Sequence, residues 1–117
     1  MAAPNIVTLT ALYGKTAGQA VGTSATAIVS NAAASGKVLK VNALYAGNVD
    51  TATAYDLTVD IYRSSVAYRF APTISVPAKA SLDVLSKPIY LEEGDSLRLT
   101  ASSASKLEVI CSYEEIS

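Results

Sequence analysis

Apolar and polar residues alternate with a period of two along most of the chain. Outside one Ala-rich stretch no 3.6-residue repeat is sustained, so the predicted elements are strands. The clearest runs from Tyr55 to Arg63, with Tyr55, Leu57, Val59 and Ile61 on one face and Asp56, Thr58 and Asp60 on the other. Val66 to Phe70 follows after Ser64-Ser65. A two-residue turn there sets Ile61 against Tyr68 and Val59 against Phe70 on the core side, and Asp60 against Arg69 outside. Ser-Ser is poor chemistry for a type I′ turn, so the register rests on the side-chain match, which a slip of one residue would destroy on both faces.

The last third repeats this logic. Ile89-Tyr90-Leu91 and Leu97-Arg98-Leu99 flank Glu92 to Ser96, and a tight loop at Glu93 to Asp95, with Gly94 supplying a positive φ, sets Ile89 against Leu99 and Leu91 against Leu97. The strand from Leu107 to Tyr113 then places Val109 beside Leu99 and Cys111 beside Leu97, giving a three-stranded meander. Earlier, Val38 to Ala46 alternates with Leu39, Val41, Ala43 and Tyr45 inward. Thr73 to Val76 and Leu82 to Leu85 are shorter strands, and Pro77 and Pro88 sit at edges, bends or turns because proline donates nothing to a ladder. With Asn5 to Leu12 and part of Thr23 to Ser30 the count reaches about seven to nine strands, as in a single-domain antiparallel β-sandwich or jelly roll. That domain spans 1–117, with 1–7 expected as an extended amino-terminal arm. Gly14 to Gly22 is the least determined stretch, a loop or an arm.

Composition narrows the function. The 117 residues contain no His and one Cys, so the usual general base and the commonest transition-metal ligand are missing and an intrachain disulfide cannot form. A net charge of -1 without a Lys/Arg cluster argues against nucleic acid. A run of about 18 uninterrupted apolar residues, as a membrane helix needs, is missing too. The start, Met1 to Asn5, lacks the basic flank of a secretory signal, so the expectation is synthesis in the cytoplasm with no membrane partner. Charged residues make up 16% of the chain, against about 25% for an ordinary soluble domain, while half the residues are hydrophobic. Such a chain shows water an apolar, Ala/Ser/Thr-rich surface, part of which other subunits are expected to cover.

Candidate chemistry is thin. Glu92-Glu93-Gly94-Asp95 could bind Ca²⁺ but lacks the longer alternating acidic loop of strong sites, and reads better as a hairpin tip. Asp50, Asp56 and Asp60 could supply a carboxylate pair for glycoside hydrolysis, but read better as a solvated or interface-facing strand. No catalytic residue, cofactor or metal is assigned. Of the seven tyrosines, Tyr45, Tyr55, Tyr68 and Tyr113 fall on core parity, and Tyr62 and Tyr90 on the outer parity. Tyr62 and Tyr90, with Arg63, Arg69 and Arg98, are the expected interface residues, because Tyr and Arg are enriched at the energetic centres of interfaces.

Four segments also carry a resemblance: Met1 to Val7, Val29 to Val38, Pro88 to Leu97 and Cys111 to Ser117. Over nearly its whole length the chain resembles small structural proteins of marine tailed phages, especially phages of cyanobacteria. The resemblance implies a virion component, made in the host cytoplasm and present in many copies, that decorates or cements the capsid or sits on the tail. Its expected partners are itself, as a homo-oligomer such as a trimer, and other virion proteins such as the major capsid protein. The alternative is a receptor- or glycan-binding module on a tail appendage, using Tyr62 and Tyr90.

Overall fold

The computed structural model describes residues 11–117, so the expected arm at 1–7 and the start of the strand expected from Asn5 lie outside the described residues. Among the described residues nine strands make up the fold: β1 (Leu12–Ala20), β2 (Thr26–Ser30), β3 (Val38–Asn48), β4 (Tyr55–Arg63), β5 (Val66–Val76), β6 (Ser81–Asp83), β7 (Ile89–Leu91), β8 (Ser96–Ala101) and β9 (Leu107–Ile116). Every pairing is antiparallel. One sheet has the order β1-β9-β3-β6, with β7 also on β3, and the other the order β2-β8-β4-β5.

The pairings are nested: β1 with β9, β2 with β8, β3 with β7, β4 with β5. This is one long hairpin rolled over on itself, the jelly-roll form of a β-sandwich. Rolling brings β3 against β9 and β4 against β8, which closes each sheet around its two central strands. The core lies between the sheets. Leu39, Val41, Leu44, Ala46, Leu91, Val109 and Cys111 come from one side, and Val29, Leu57, Val59, Leu97, Leu99 and Ala101 from the other.

The β4–β5 hairpin forms through Ser64 and Ser65, both at positive φ (51° and 62°), the geometry a type I′ loop demands. Ile61 faces Tyr68 and Asp60 faces Arg69, as expected, but Val59 faces Ala71. The register shifts between Val59 and Asp60, making Phe70 the extra residue of a bulge on an edge strand. Phe70, at the bulge, and Tyr68, opposite Ile61 on the edge strand, are exposed, 39% and 59%, where the alternation placed them in the core.

The carboxyl-terminal third is arranged differently from the expected meander. β7 pairs with β3, setting Leu91 against Leu39 and Ile89 against Val41. β8 lies in the other sheet, where Leu99 sits between Thr26 and Val59. Glu92 to Asp95 is thus a link between sheets, and Leu91 and Leu97 both enter the core from opposite layers. Val109 pairs with Ala46 and Gln19, and Cys111 with Leu44 and Ala17, so neither neighbours β8. The alternation pattern fits side-by-side and face-to-face burial equally well, since both point every second residue inward.

Two further differences follow from local geometry. A register shift in β3 between Val41 and Ala43 reverses the inward parity, so Leu44 and Ala46 are buried while Tyr45 turns out at 49% exposure. The stretch expected as loop or arm is the regular strand β1. Its small residues hide the alternation, and its ladder to β9 runs through nine residue pairs without interruption.

Candidate functional site

The outer face of the β2-β8-β4-β5 sheet is a matched polar surface. Asp60 stands in register between Arg69 on β5 and Arg98 on β8. Arg98 Nε donates to Asp60 Oδ1 at 2.9 Å, and its guanidinium lies 4.0 Å from the centre of the Tyr62 ring. The two contacts cover the carboxylate, leaving Asp60 3% exposed although it points away from the core. Arg69 remains exposed at the edge. Tyr62, Arg69 and Arg98 of the expected interface set therefore share one face.

Arg63 serves a different end of the sheet. Its Nε donates to Asp95 Oδ1 at 2.8 Å, a terminal nitrogen donates to Oδ2, and the same nitrogen lies 3.1 Å from Glu92. Asp95 also accepts the Glu92 backbone N–H at 2.8 Å, so its side chain reaches back to close the turn in which Gly94 takes φ +87°. Burial pushes the Asp95 carboxyl up, but the bonds from Arg63 and the Glu92 amide outweigh it and hold the group below its ordinary range. Glu93 is buried and accepts the Gly36 N–H at 2.6 Å. Buried Asn31 completes the corner: its amide donates to the carbonyls of Lys37 and Leu91, and its oxygen accepts from Ser35. The acidic loop is a brace that ties the β2–β3 and β7–β8 links to β4. Among the described residues no group of three His, Cys, Asp or Glu side chains could hold a metal ion.

The outer face of the other sheet carries exposed apolar groups among small and charged ones. Tyr45 and Ile110, 49% and 52% exposed, are register partners, with Gly18 beyond Ile110 and Asp83 beyond Tyr45. Adjoining rows run Thr16–Ser112–Ala43 and Gly14–Glu114–Lys40–Tyr90. Tyr90 therefore lies on the opposite side of the sandwich from Tyr62, whose ring Arg98 already covers, and the two do not form one stacking platform. Sequence reasoning missed Tyr45 and Ile110. For Tyr45 the signal was Leu44, a large apolar residue on the polar parity of β3, which betrays the reversal after Asn42; for Ile110 it was the inward parity of Val109 and Cys111, which turns the residue between them outward.

Glu115 stitches the edge of this sheet, 3.1 Å from Lys15 and 2.7 Å from Lys37. Hydrogen bonds from Lys37 and Lys15 hold its carboxyl below the ordinary range. Cys111 is fully buried, and burial raises its thiol to about 11, which removes the thiolate that a nucleophile or metal ligand requires. Asp56 is exposed and Asp60 is held by Arg98, while Asp50 accepts the Ala52 and Thr53 amides. The three carboxylates considered for glycoside chemistry are thus separately engaged or solvated.

No family model matches the chain, and no curated protein matches it. Among solved structures the fold is similar to that of a protein from work on Bacillus endospore appendages, described as a novel family of disulfide-linked pili. The TM-score is 0.55 at 12% identity, covering 98% of this chain and 95% of that one. At that identity the likeness is one of fold.

Proposed function

We propose that this chain is a structural building block that works by packing against copies of itself and against other proteins of a larger particle. The observation that carries this reading is the outer face of the β1-β9-β3 sheet, where Tyr45, Ile110 and Tyr90 stand exposed beside small residues such as Gly18, Ala43 and Ser112, with Lys40, Asp83, Glu108 and Glu114 around them. Aromatic and aliphatic anchors next to short side chains bury apolar area at little cost in side-chain entropy. The resemblance of the sequence to small virion proteins of marine tailed phages gives the particle: a capsid-decorating or tail-associated component. No reaction belongs to this proposal.

The pilus protein of similar fold supports the reading to the extent that a sandwich of this shape suits repeated subunit contacts. The disulfide linkage named for that family does not carry over, because one thiol joins chains at most in pairs and Cys111 lies inside the core. Contacts here are noncovalent. Light scattering tests the proposal: at about 50 μM, a concentration at which ordinary interfaces are populated, the mass is expected to exceed the 12.1 kDa of one chain. A uniform 12.1 kDa species removes self-association from the proposal. Antibody labelling over the capsid shell supports decoration, and labelling confined to tail tips supports the appendage reading instead.

A further inference from the structure

The four sheet edges are not alike. β5 carries Pro72, a positive φ at Thr73 and two register shifts against β4, all of which spoil it as a template for another strand. β2 is five residues long and bulged, and β6 and β7 are three residues each. β1 has none of these devices. Its nine residues are extended, free of proline and paired in unbroken register with β9 on one side. Among the described residues no strand pairs with the other side.

The free groups can be assigned. Ala11 and Ser117 exchange both backbone bonds, at 3.0 and 2.9 Å, and Val21 donates to Leu107 at 2.8 Å. Antiparallel alternation then turns Tyr13, Lys15, Ala17 and Gln19 toward β9, and points the N–H and C=O of Leu12, Gly14, Thr16, Gly18 and Ala20 away from it. The side chains of these outward-bonding residues are small, except Leu12, and leave the backbone open to close approach.

We propose that β1 is an interaction edge whose partner is β1 of a second copy, paired antiparallel about a two-fold axis at Thr16. This inference deepens the self-association reading and rests on it. Thr16 is the middle residue of the strand, so only this centre overlaps all nine residues. It sets Gly14 against Gly18, Leu12 against Ala20, Tyr13 against Gln19 and Lys15 against Ala17. A centre at Lys15 would oppose two ammonium groups, whereas the Thr16 centre opposes none and lets the two hydroxyls meet. Five outward residues pairing with five gives about ten backbone hydrogen bonds and one continuous sheet through both copies.

The test uses charge at the axis. Thr16 is exposed and its own N–H points away from β9, so Thr16→Lys and Thr16→Glu leave the fold in place, checked by circular dichroism. Each variant alone is expected to weaken the dimer at least tenfold by sedimentation, and an equal mixture of the two is expected to restore it. In the unmodified protein, amide exchange at Gly14, Thr16 and Gly18 is expected to slow as concentration rises, while Lys15 and Ala17 stay constant. An oligomer whose mass neither variant changes, and whose Gly14, Thr16 and Gly18 amides are insensitive to concentration, overturns the β1 edge but leaves self-association standing. A monomer at all concentrations overturns both.

Discussion

Replacing Arg63 with Met tests whether the brace at the acidic loop holds two links and a strand together. The Asp95 side chain is 1% exposed, and its donors are the Arg63 guanidinium, through two nitrogens, and the Glu92 backbone N–H. Met keeps the apolar stem of Arg63 but deletes both charge-assisted bonds, leaving a carboxylate with one donor. Removing one partner of a fully buried pair costs about 3 to 5 kcal/mol. Arg63 itself is 39% exposed, so water reaches the vacated position and the expected cost falls to about 2 to 3 kcal/mol. For a domain of this size that lowers the melting temperature by about 8 to 12 °C. Urea denaturation of Arg63→Met, Asp95→Ala and the double variant gives the coupling, expected to be at least about 1 kcal/mol. The pH dependence has a definite sign. The folded Asp95 carboxyl lies below its ordinary value, so its contribution is complete above about pH 5 and is lost as pH falls through the folded value. Arg63→Met is therefore expected to flatten the stability profile below about pH 4. A loss under about 0.5 kcal/mol, or a strictly additive double variant, refutes the reasoning.

Other positions give equally definite outcomes. Asp60→Lys places a third cation between Arg69 and Arg98 at a site 3% exposed, and is expected to cost about 3 to 5 kcal/mol in chemical denaturation; a cost below about 1 kcal/mol would mean the Arg98 contact is dispensable. Gly94→Ala meets no atom within 4 Å of the added Cβ, so its whole effect is the strain of φ +87°, about 1 to 2 kcal/mol by thermal denaturation. Cys111 is expected to resist an aromatic disulfide reagent at pH 8 until the protein unfolds, with labelling tracking the denaturation curve; rapid labelling of the native protein would contradict its burial.

Period-two alternation made the all-β class legible, and the β4–β5 pairing was legible because Asp60 and Arg69 supplied a charge match on top of the apolar one. Where matching was apolar only, as between Ile89-Tyr90-Leu91 and Leu97-Arg98-Leu99, it could not tell neighbours in one sheet from partners across the core. β1 was invisible because Gly14, Ala17, Gly18 and Ala20 carry little hydrophobic contrast, and its place is set by backbone bonds to a strand almost a hundred residues away. Of the expected interface residues, Tyr62, Arg69 and Arg98 share a face; Tyr90 stands in the other sheet, since no sequence signal marks the sheet change at Glu92, and Arg63, next to Tyr62 on β4, falls on the opposite parity. Tyr45 required the bulge at Asn42, which plain alternation does not supply, whereas Ile110 follows from the regular alternation of β9 between Val109 and Cys111.

The nested pairing has a kinetic consequence. β9 lies between β1 and β3, so that sheet stays in two pieces until the closing residues of the sandwich have left the ribosome. β4, β5 and the turn between them are local, whereas β1 waits for almost a hundred further residues to be made before its only described partner emerges. A strand left waiting that long gains from being short of large apolar side chains, and the sparse Gly/Ala/Thr makeup of β1 leaves it little apolar surface to expose while it waits.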